Sequence, residues 1–516
     1  MQKPLPQLRK VVNSVLNDNI ADKSSQALAF IYSFLHKKHE DGNIISLDEY
    51  ETLLKHEAFG TYWRMFFDNL QTDSYGRVQN GIIPARAAEF IREEFPFFVI
   101  DGKFYLYRNG VYSQDNKDGT QMKALVNNLL PPEKRRKGIV GEILEQLKAD
   151  PARTIGIDQM NTHEKPMICF LNGVYNPATK EMKPHSPDFR FLNQIPRKFS
   201  IGEPLPAGDK IEAFLESLEL KPDERRMLLA FCGLCMTTDT GLQRFLILKG
   251  LPGSGKSTLL NLLKATIGPE NTSERSLERL SDPKERFYAY GVVGKTCNVC
   301  ADIQTETLLD PTTIKKLTGE DAVAVEPKGV DAYEVTMYAK HFFSANGWPS
   351  IKGKDGAFFR RALVLPFNRV PEIPNDHLLQ DLTSQCDYFL RICVQALEEY
   401  YALTNKQDIE SASSKALVLE WQRKSDSVAA FLDEEPAFDE FAGQKYVQVT
   451  QVYERYLDYC EDEGRKSLSR TGFYESLKDK GHQITTYHGY KTIRNPYFDK
   501  EKDFEPAAAA AGNPFE

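Results

Sequence analysis

Gly250, Gly253, Ser254, Gly255, Lys256, Ser257 and Thr258 stand in the run Gly-Leu-Pro-Gly-Ser-Gly-Lys-Ser-Thr, a spacing suited to holding phosphate. Glycines let the backbone turn so that successive N–H groups face phosphate oxygens, Lys256 can reach the β- and γ-phosphates, and the Ser257 hydroxyl can ligate Mg²⁺. An apolar run at 244–248 precedes these residues and a helical run at 258–266 follows. Strand, glycine loop and helix in that order predict a P-loop, with ATP and Mg²⁺ as its ligands.

A phosphate cradle only binds; hydrolysis also needs a metal-side carboxylate, a group that senses the γ-phosphate and a cation for the transition state. Asp302 closes a short apolar run that begins after Gly294-Lys295, the Walker B arrangement, and would order Mg²⁺ with Ser257. A helix N-cap is the plainer role for the same residue. Asn346 ends the strand-like run 340–345 and would orient water against the γ-phosphate; a turn asparagine is its alternative. Arg360 and Arg361 directly precede the strand-like run 362–367, well placed to act on a neighbouring subunit's nucleotide, although ion pairing would account for one of them. Lys256, Asp302, Asn346, Arg360 and Arg361 are therefore the expected catalytic set.

These residues need a scaffold. From about residue 209 a helical signal leads into the glycine loop, and the region after it alternates strand-like and helical segments as far as about 370, which predicts a parallel α/β sheet. Before it, Asp101-Gly102, Asn109-Gly110 and Asn172-Gly173 mark turns between apolar runs, predicting a small α+β domain over 93–206. Residues 1–92 look mainly helical: Leu8, Val11, Val12, Val15 and Leu16 share one face, Ser46 and Glu49 form a capping box, and the aromatics of 62–67 suit a helical core. The basic run 134–137 reads as a solvated face. The P-loop sheet is placed within 207–400 and a connector with a further domain within 401–498; there, helices at 449–460 and 469–480 followed by a hairpin at 484–493 suggest a winged helix. The alanine-rich tail 499–516 is of low complexity and is expected to be disordered.

The 516-residue chain is 41% hydrophobic and 27% charged, ordinary for a globular protein. It has no apolar run of the roughly 20 residues a membrane span needs, nor a secretory core at its start, so a cytoplasmic place, in a bacterial host cytosol, and no membrane partner are expected. The pairs Cys232/Cys235 and Cys297/Cys300 have metal-like spacing, but the first sits in an apolar helical run and the second would point to opposite faces of a strand. A formal net charge of −8 argues against a protein that coats duplex DNA, yet leaves room for a local patch. Arg465, Lys466, Arg470, Lys478 and Lys491 are the candidates for DNA contact on the winged helix.

Taken together, the motifs at 250–257, 294–302, 315–321, 342–349 and 355–367 resemble superfamily 3 helicases, and more narrowly the primase-helicase family of phages, plasmids, pathogenicity islands and large DNA viruses. The likeness extends to 104–112 and 170–175 in the preceding domain and to 427–432, 453–456 and 473–481 beyond the sheet. It implies an AAA+-like α/β ATPase that forms a homo-oligomeric ring, a hexamer, with nucleotide between subunits, and Lys328 as the phosphate-gripping residue of the channel. Two departures stand out. Asp302 is flanked by Ala301 and Ile303 where many members carry a second acid, and Glu306 lies too far along to supply it. No paired-aspartate D-x-D motif precedes the matched region, so primase activity is not expected in this chain and a separate primase or polymerase becomes a partner. The expected function is an ATP-dependent replicative DNA helicase of a phage or mobile element. An origin-binding initiator without processive unwinding and a nucleotide-switched assembly protein are its rivals.

Overall fold

The computed structural model describes residues 68–72, 78–82, 84–116, 119–130, 135–161, 166–282, 284–303, 308–309, 311–351, 356–372, 375–434, 441, 444–463, 467–487 and 489–495. The expectations placed on residues 8–16, 46–49, 62–67 and the tail 499–516 lie outside these residues, as do Lys134, Glu306, Asp355, Arg465 and Lys466.

Five strands form the central sheet: β1 (Phe245–Gly250), β2 (Thr272–Ser273), β3 (Cys297–Ile303), β4 (Lys340–Ala345) and β5 (Ala362–Phe367). All pairings are parallel and the spatial order is β2-β3-β4-β1-β5. A parallel sheet is covered on both faces, so its strands read as unbroken apolar runs; every residue of β4 is buried. Successive side chains feed two separate cores. Leu246, Leu248, Phe342, Leu363 and Leu365 enter one, with the helices Pro222–Leu234, Lys256–Ile267 and Cys386–Ala402. Phe245, Ile247, Phe343 and Ala362 enter the other, with the helices Leu277–Ser281 and Pro311–Thr318 and with Trp421. Cys297 and Cys300 follow the same alternation, Cys297 into the first core and Cys300 against the second, while Cys232 and Cys235 are buried at the end of the helix Pro222–Leu234. Strand β5 is an edge, and the helix Ala412–Ser425 covers it: the Ser414 hydroxyl accepts from the Val364 N–H at 3.0 Å, satisfying a donor that an edge leaves open.

His341 lies fully buried on β4, its ring stacked at 6.0 Å on Phe343. Burial pulls its pKa down to about 4, with the Leu317 backbone opposing and the Lys340 charge adding to the effect. An unfolded chain takes up this proton near its ordinary value of about 6.5, so the stability that neutral His341 contributes is complete above that pH and is lost as the pH falls toward 4. The loss should reach roughly 3 kcal/mol. In denaturant unfolding at about pH 7 and about pH 4.5, His341→Phe should lose less stability across the interval than wild type; equal losses would contradict this account.

The region before the sheet contains two antiparallel meanders, Phe97–Ile100, Lys103–Arg108, Val111–Gln114 and Ile168–Phe170, Gly173–Asn176, Glu181–Lys183. Asp101 (φ 50°) and Gly102 (φ 71°) make the first turn, Asn109 (φ 49°) and Gly110 (φ 96°) the second; both central residues of a tight hairpin turn need positive φ, which Asp, Asn and Gly tolerate. One part of the expected N-terminal helical region is instead a hairpin, Asp68–Thr72 paired with Val78–Ile82 ahead of the helix Pro84–Glu94. The residues joining its strands include Asp73, Ser74 and Gly76, turn formers that a search for helical periodicity passes over. A buried amide seam ties the meanders to the sheet: Asn161 donates to the Tyr338 hydroxyl (2.6 Å), and Asn193 donates to Asn271 (3.1 Å) and to the Gly294 carbonyl (2.9 Å).

Beyond the sheet, the helices Ser427–Glu434, Val449–Asp462 and Arg470–Asp479 pack with a three-stranded antiparallel sheet, Tyr446–Gln448, Tyr490–Arg494 and Ile484–Tyr487. Phe431, Tyr456, Phe473 and Ile493 form its core. Among the described residues no helix is long and apolar enough to cross a membrane.

Candidate nucleotide site

The loop after β1 is shaped by what glycine permits. Gly253 (φ 78°) and Gly255 (φ 87°) are left-handed, and a Cβ on Gly250 would collide with the Phe367 carbonyl at the end of β5. Ser254 is buried and its hydroxyl donates to the Leu251 carbonyl at 2.7 Å, which tightens the turn. Lys256 opens the helix Lys256–Ile267, and its ammonium donates to the Gly250 (2.9 Å) and Leu251 (2.6 Å) carbonyls. That helix has no side-chain cap at its N-terminus, and Ser257 is exposed there. Uncapped N–H groups, the helix dipole and a lysine ammonium that donates to neutral carbonyls and to the Ser254 hydroxyl make a cradle that fits a polyphosphate.

Register places the other candidates. Ile303 pairs with Ala345 on β4, and Ala345 pairs with Lys249 on β1. Asp302, Asn346 and Gly250 therefore share the carboxyl edge of the sheet, on adjacent strands spaced by about 4.8 Å. Strand β3 runs through Asp302 to Ile303, with a break in register between Cys300 and Ile303. The N-cap alternative for Asp302 thus does not describe its backbone. Asn346 is exposed, in the turn that follows β4. In open α/β sheets ligands bind outside the carboxyl ends of the strands, the same edge.

That turn is held by Trp421, a residue outside every motif. The Trp348 ring stacks on Trp421 at 5.3 Å and 14°, the Trp421 indole donates to the Pro349 carbonyl at 2.8 Å, and Lys249 lies 5.0 Å over the Trp348 ring. Trp421 also meets Phe358 and Phe359 edge-on, each at 5.4 Å, directly before Arg360. One buried side chain thus braces both the Asn346 turn and the arginine-bearing segment. Beside it, partial burial works against the charge of Glu420, but hydrogen bonds from Trp348 and Lys424 outweigh it and hold the carboxyl below its ordinary range.

Arg360 and Arg361 lie at the amino edge, since Ala362 pairs with Phe245 at the start of β1. Six strand residues separate that edge from the glycine loop, a span of roughly 20 Å. Neither arginine can reach its own subunit's loop. They also differ from each other: Arg361 is half-buried, packs beside Gly319 and donates to Gln243 at 3.3 Å, whereas Arg360 is exposed and, among the described residues, makes no side-chain hydrogen bond or ion pair. A cation that does lie beside the cradle is Arg369, ion-paired with Glu219 just after β5; the next residue, Val370, is what a Cβ added to Gly253 would touch. Only the strand-then-loop position after residue 367 would have pointed to it.

The nucleic-acid candidates fall into two places. Lys328 is exposed in the loop of a hairpin whose strands, Ala322–Val325 and Tyr333–Thr336, are antiparallel. On the helix Arg470–Asp479, Arg470, Tyr474 and Lys478 follow at i, i+4, i+8 along one face, and Lys491 lies 5.6 Å over the Tyr474 ring. Three of the five basic residues expected to act together are thus on one surface.

Three family matches divide the chain: residues 88–221 match the family described as D5 N terminal like, 248–361 a family of unknown function (DUF5906), and 423–508 the family described as poxvirus D5 protein-like. A putative helicase, L207/L206 of Acanthamoeba polyphaga mimivirus, is 24% identical over 48% of this chain, which spans 25% of that relative's length. The uncharacterized mitochondrial protein ymf21 of Marchantia polymorpha is 28% identical over 28% of this chain and 83% of its own. The solved apo structure of the NrS-1 C terminal region aligns with 80% of this chain and 98% of its own at 12% identity and a TM-score of 0.49.

Proposed function

Because the chain is a phage-type superfamily 3 primase-helicase-like protein, we propose that it is an ATP-driven DNA helicase of viral or mobile-element replication that works as a homo-oligomeric ring. The single observation that carries this reading is the distribution of its candidate residues over two edges of one sheet. Gly250, Asp302 and Asn346 share the carboxyl edge; Arg360 stands at the other, too far away to serve its own loop. An active site so divided is complete only where two copies meet. This favours an AAA+-like assembly, a hexamer, over an ATPase acting alone.

In this reading the 253–258 amides and Lys256 hold the triphosphate, and Ser257 with Asp302 would hold Mg²⁺, which neutralises charge building on the phosphate oxygens. Asn346 orients the attacking water, and Arg360 of an adjacent copy meets the transition-state charge. Arg361 anchors the turn that presents Arg360. Lys328 grips backbone phosphate without reading bases, as a motor requires. The C-terminal unit acts as a winged helix whose Arg470, Lys478 and Lys491 face contacts DNA.

Strand displacement from a labelled forked duplex tests the motor. ATP should release the strand, and a non-hydrolysable analogue should support binding without release. Binding without ATP-dependent release would instead support an initiator that marks or melts DNA.

A further inference from the structure

A cavity of about 720 Å³ opens between the first meander and the sheet, apart from the P-loop. Its floor comes from residues just before β2 and β3, so it lies at the amino edge of the sheet, opposite the cradle. The volume falls within the roughly 300–1,000 Å³ of small-molecule sites.

The lining has two halves. Tyr105, Tyr290 and Tyr333 gather around Asp101, whose carboxylate accepts from the Tyr333 hydroxyl at 3.2 Å. Burial, with the Asp101 charge among its helpers, pushes all three hydroxyls up, so these rings stay neutral and serve as flat apolar surfaces with polar tips. The other half is cationic. Lys295 donates to the Glu270 carbonyl at 2.7 Å, and burial pulls its pKa down against the Glu270 charge, a sign that an added anion nearby would be welcome. Arg275 rests 4.7 Å over the Tyr288 ring; among the described residues its guanidinium has no carboxylate partner, and its buried Nε has no acceptor. Glu270 lines this half as well, yet among the described residues neither cation has an ion pair, and two such cations beside a group of tyrosines do not suit an apolar ligand. They suit a phosphate joined to a planar ring.

We propose that this cavity binds a nucleoside phosphate unit, its phosphate on Arg275 and Lys295 and its base among Tyr105, Tyr290 and Tyr333. The unit can belong to a single strand or to a free nucleotide. A single strand is favoured by position: Tyr333 begins the second strand of the Lys328 hairpin, so a chain gripped by Lys328 has this cavity at the hairpin's base. Tyr333 and Asp101 also join the hairpin to the preceding meander, and an occupied cavity would set the two against each other.

The test uses full-length protein carrying Lys256→Ala, without ATP, so that failure here leaves the ATPase reading untouched. A labelled short oligothymidylate and ADP are titrated separately, with thermal melting as the control for folding. The double change Arg275→Ala/Lys295→Ala should weaken strand binding at least about tenfold and flatten the log–log salt dependence by about 0.7, the share of one neutralised single-strand phosphate. Tyr290→Leu should weaken it about fivefold or more, and Tyr290→Phe should restore it, because stacking needs the ring and not the hydroxyl. If ADP shows these dependences and the strand does not, the occupant is a free nucleotide. Unchanged affinities and slopes for both probes in variants that melt normally would overturn the proposal.

Discussion

Arg360→Ala should lower ATP turnover about 10³-fold or more while leaving nucleotide binding nearly intact, because a finger acts on charge that develops only in the transition state. Arg361→Ala, one residue on, should act mainly on stability. Its guanidinium is occupied by Gln243 and packs beside Gly319, whereas that of Arg360 is exposed. Steady-state turnover and nucleotide affinity, measured on both variants, separate the two. If Arg361→Ala abolished turnover and Arg360→Ala did not, the assignment would be reversed.

Trp421→Ala should be the most damaging substitution away from the cradle. The side chain is fully buried between Trp348, Phe358 and Phe359 and donates to the Pro349 carbonyl. Truncating such a residue costs roughly 3–5 kcal/mol from lost burial and the cavity left behind. A second effect should appear in protein that still folds. The turn carrying Asn346 and the segment ahead of Arg360 both lose their brace, so turnover should fall well beyond the unfolded fraction. Denaturant midpoints with turnover at a low temperature check both parts; Trp421→Phe should recover part of each. A destabilised variant with full turnover per folded molecule would show that the bracing is structural only.

How far the chain could be read in advance depended on the kind of interaction. Strands β4 and β5 were legible to the residue, because a strand covered on both faces is a bounded apolar run. The glycine turn at 250–257 was legible because its shape is local, with Gly253 and Gly255 left-handed. Tyr446 joining the C-terminal sheet beside Arg494 was not, since a short strand carries little periodicity. Nor was the role of Trp421, which lies 72 residues from the Pro349 carbonyl it holds. Adjacent arginines look alike in a sequence, and only the turn between helix Gly356–Phe359 and β5 gives Arg361 a partner and leaves Arg360 exposed. Arg369 and the aromatic cavity were missed for a similar reason: each becomes a site only when the fold brings distant segments together.

The claim on which the rest depends is that each active site is divided between two copies of the chain. Mixing Lys256→Ala protein with Arg360→Ala protein tests it directly, because each variant alone lacks one half of every site. With equal amounts randomly assembled in a head-to-tail ring, roughly a quarter of the interfaces regain both halves. ATP turnover of the mixture should therefore rise well above that of either variant alone and depend on protein concentration. A mixture that stayed at the sum of two inactive proteins, although mixed rings had formed, would contradict a shared site.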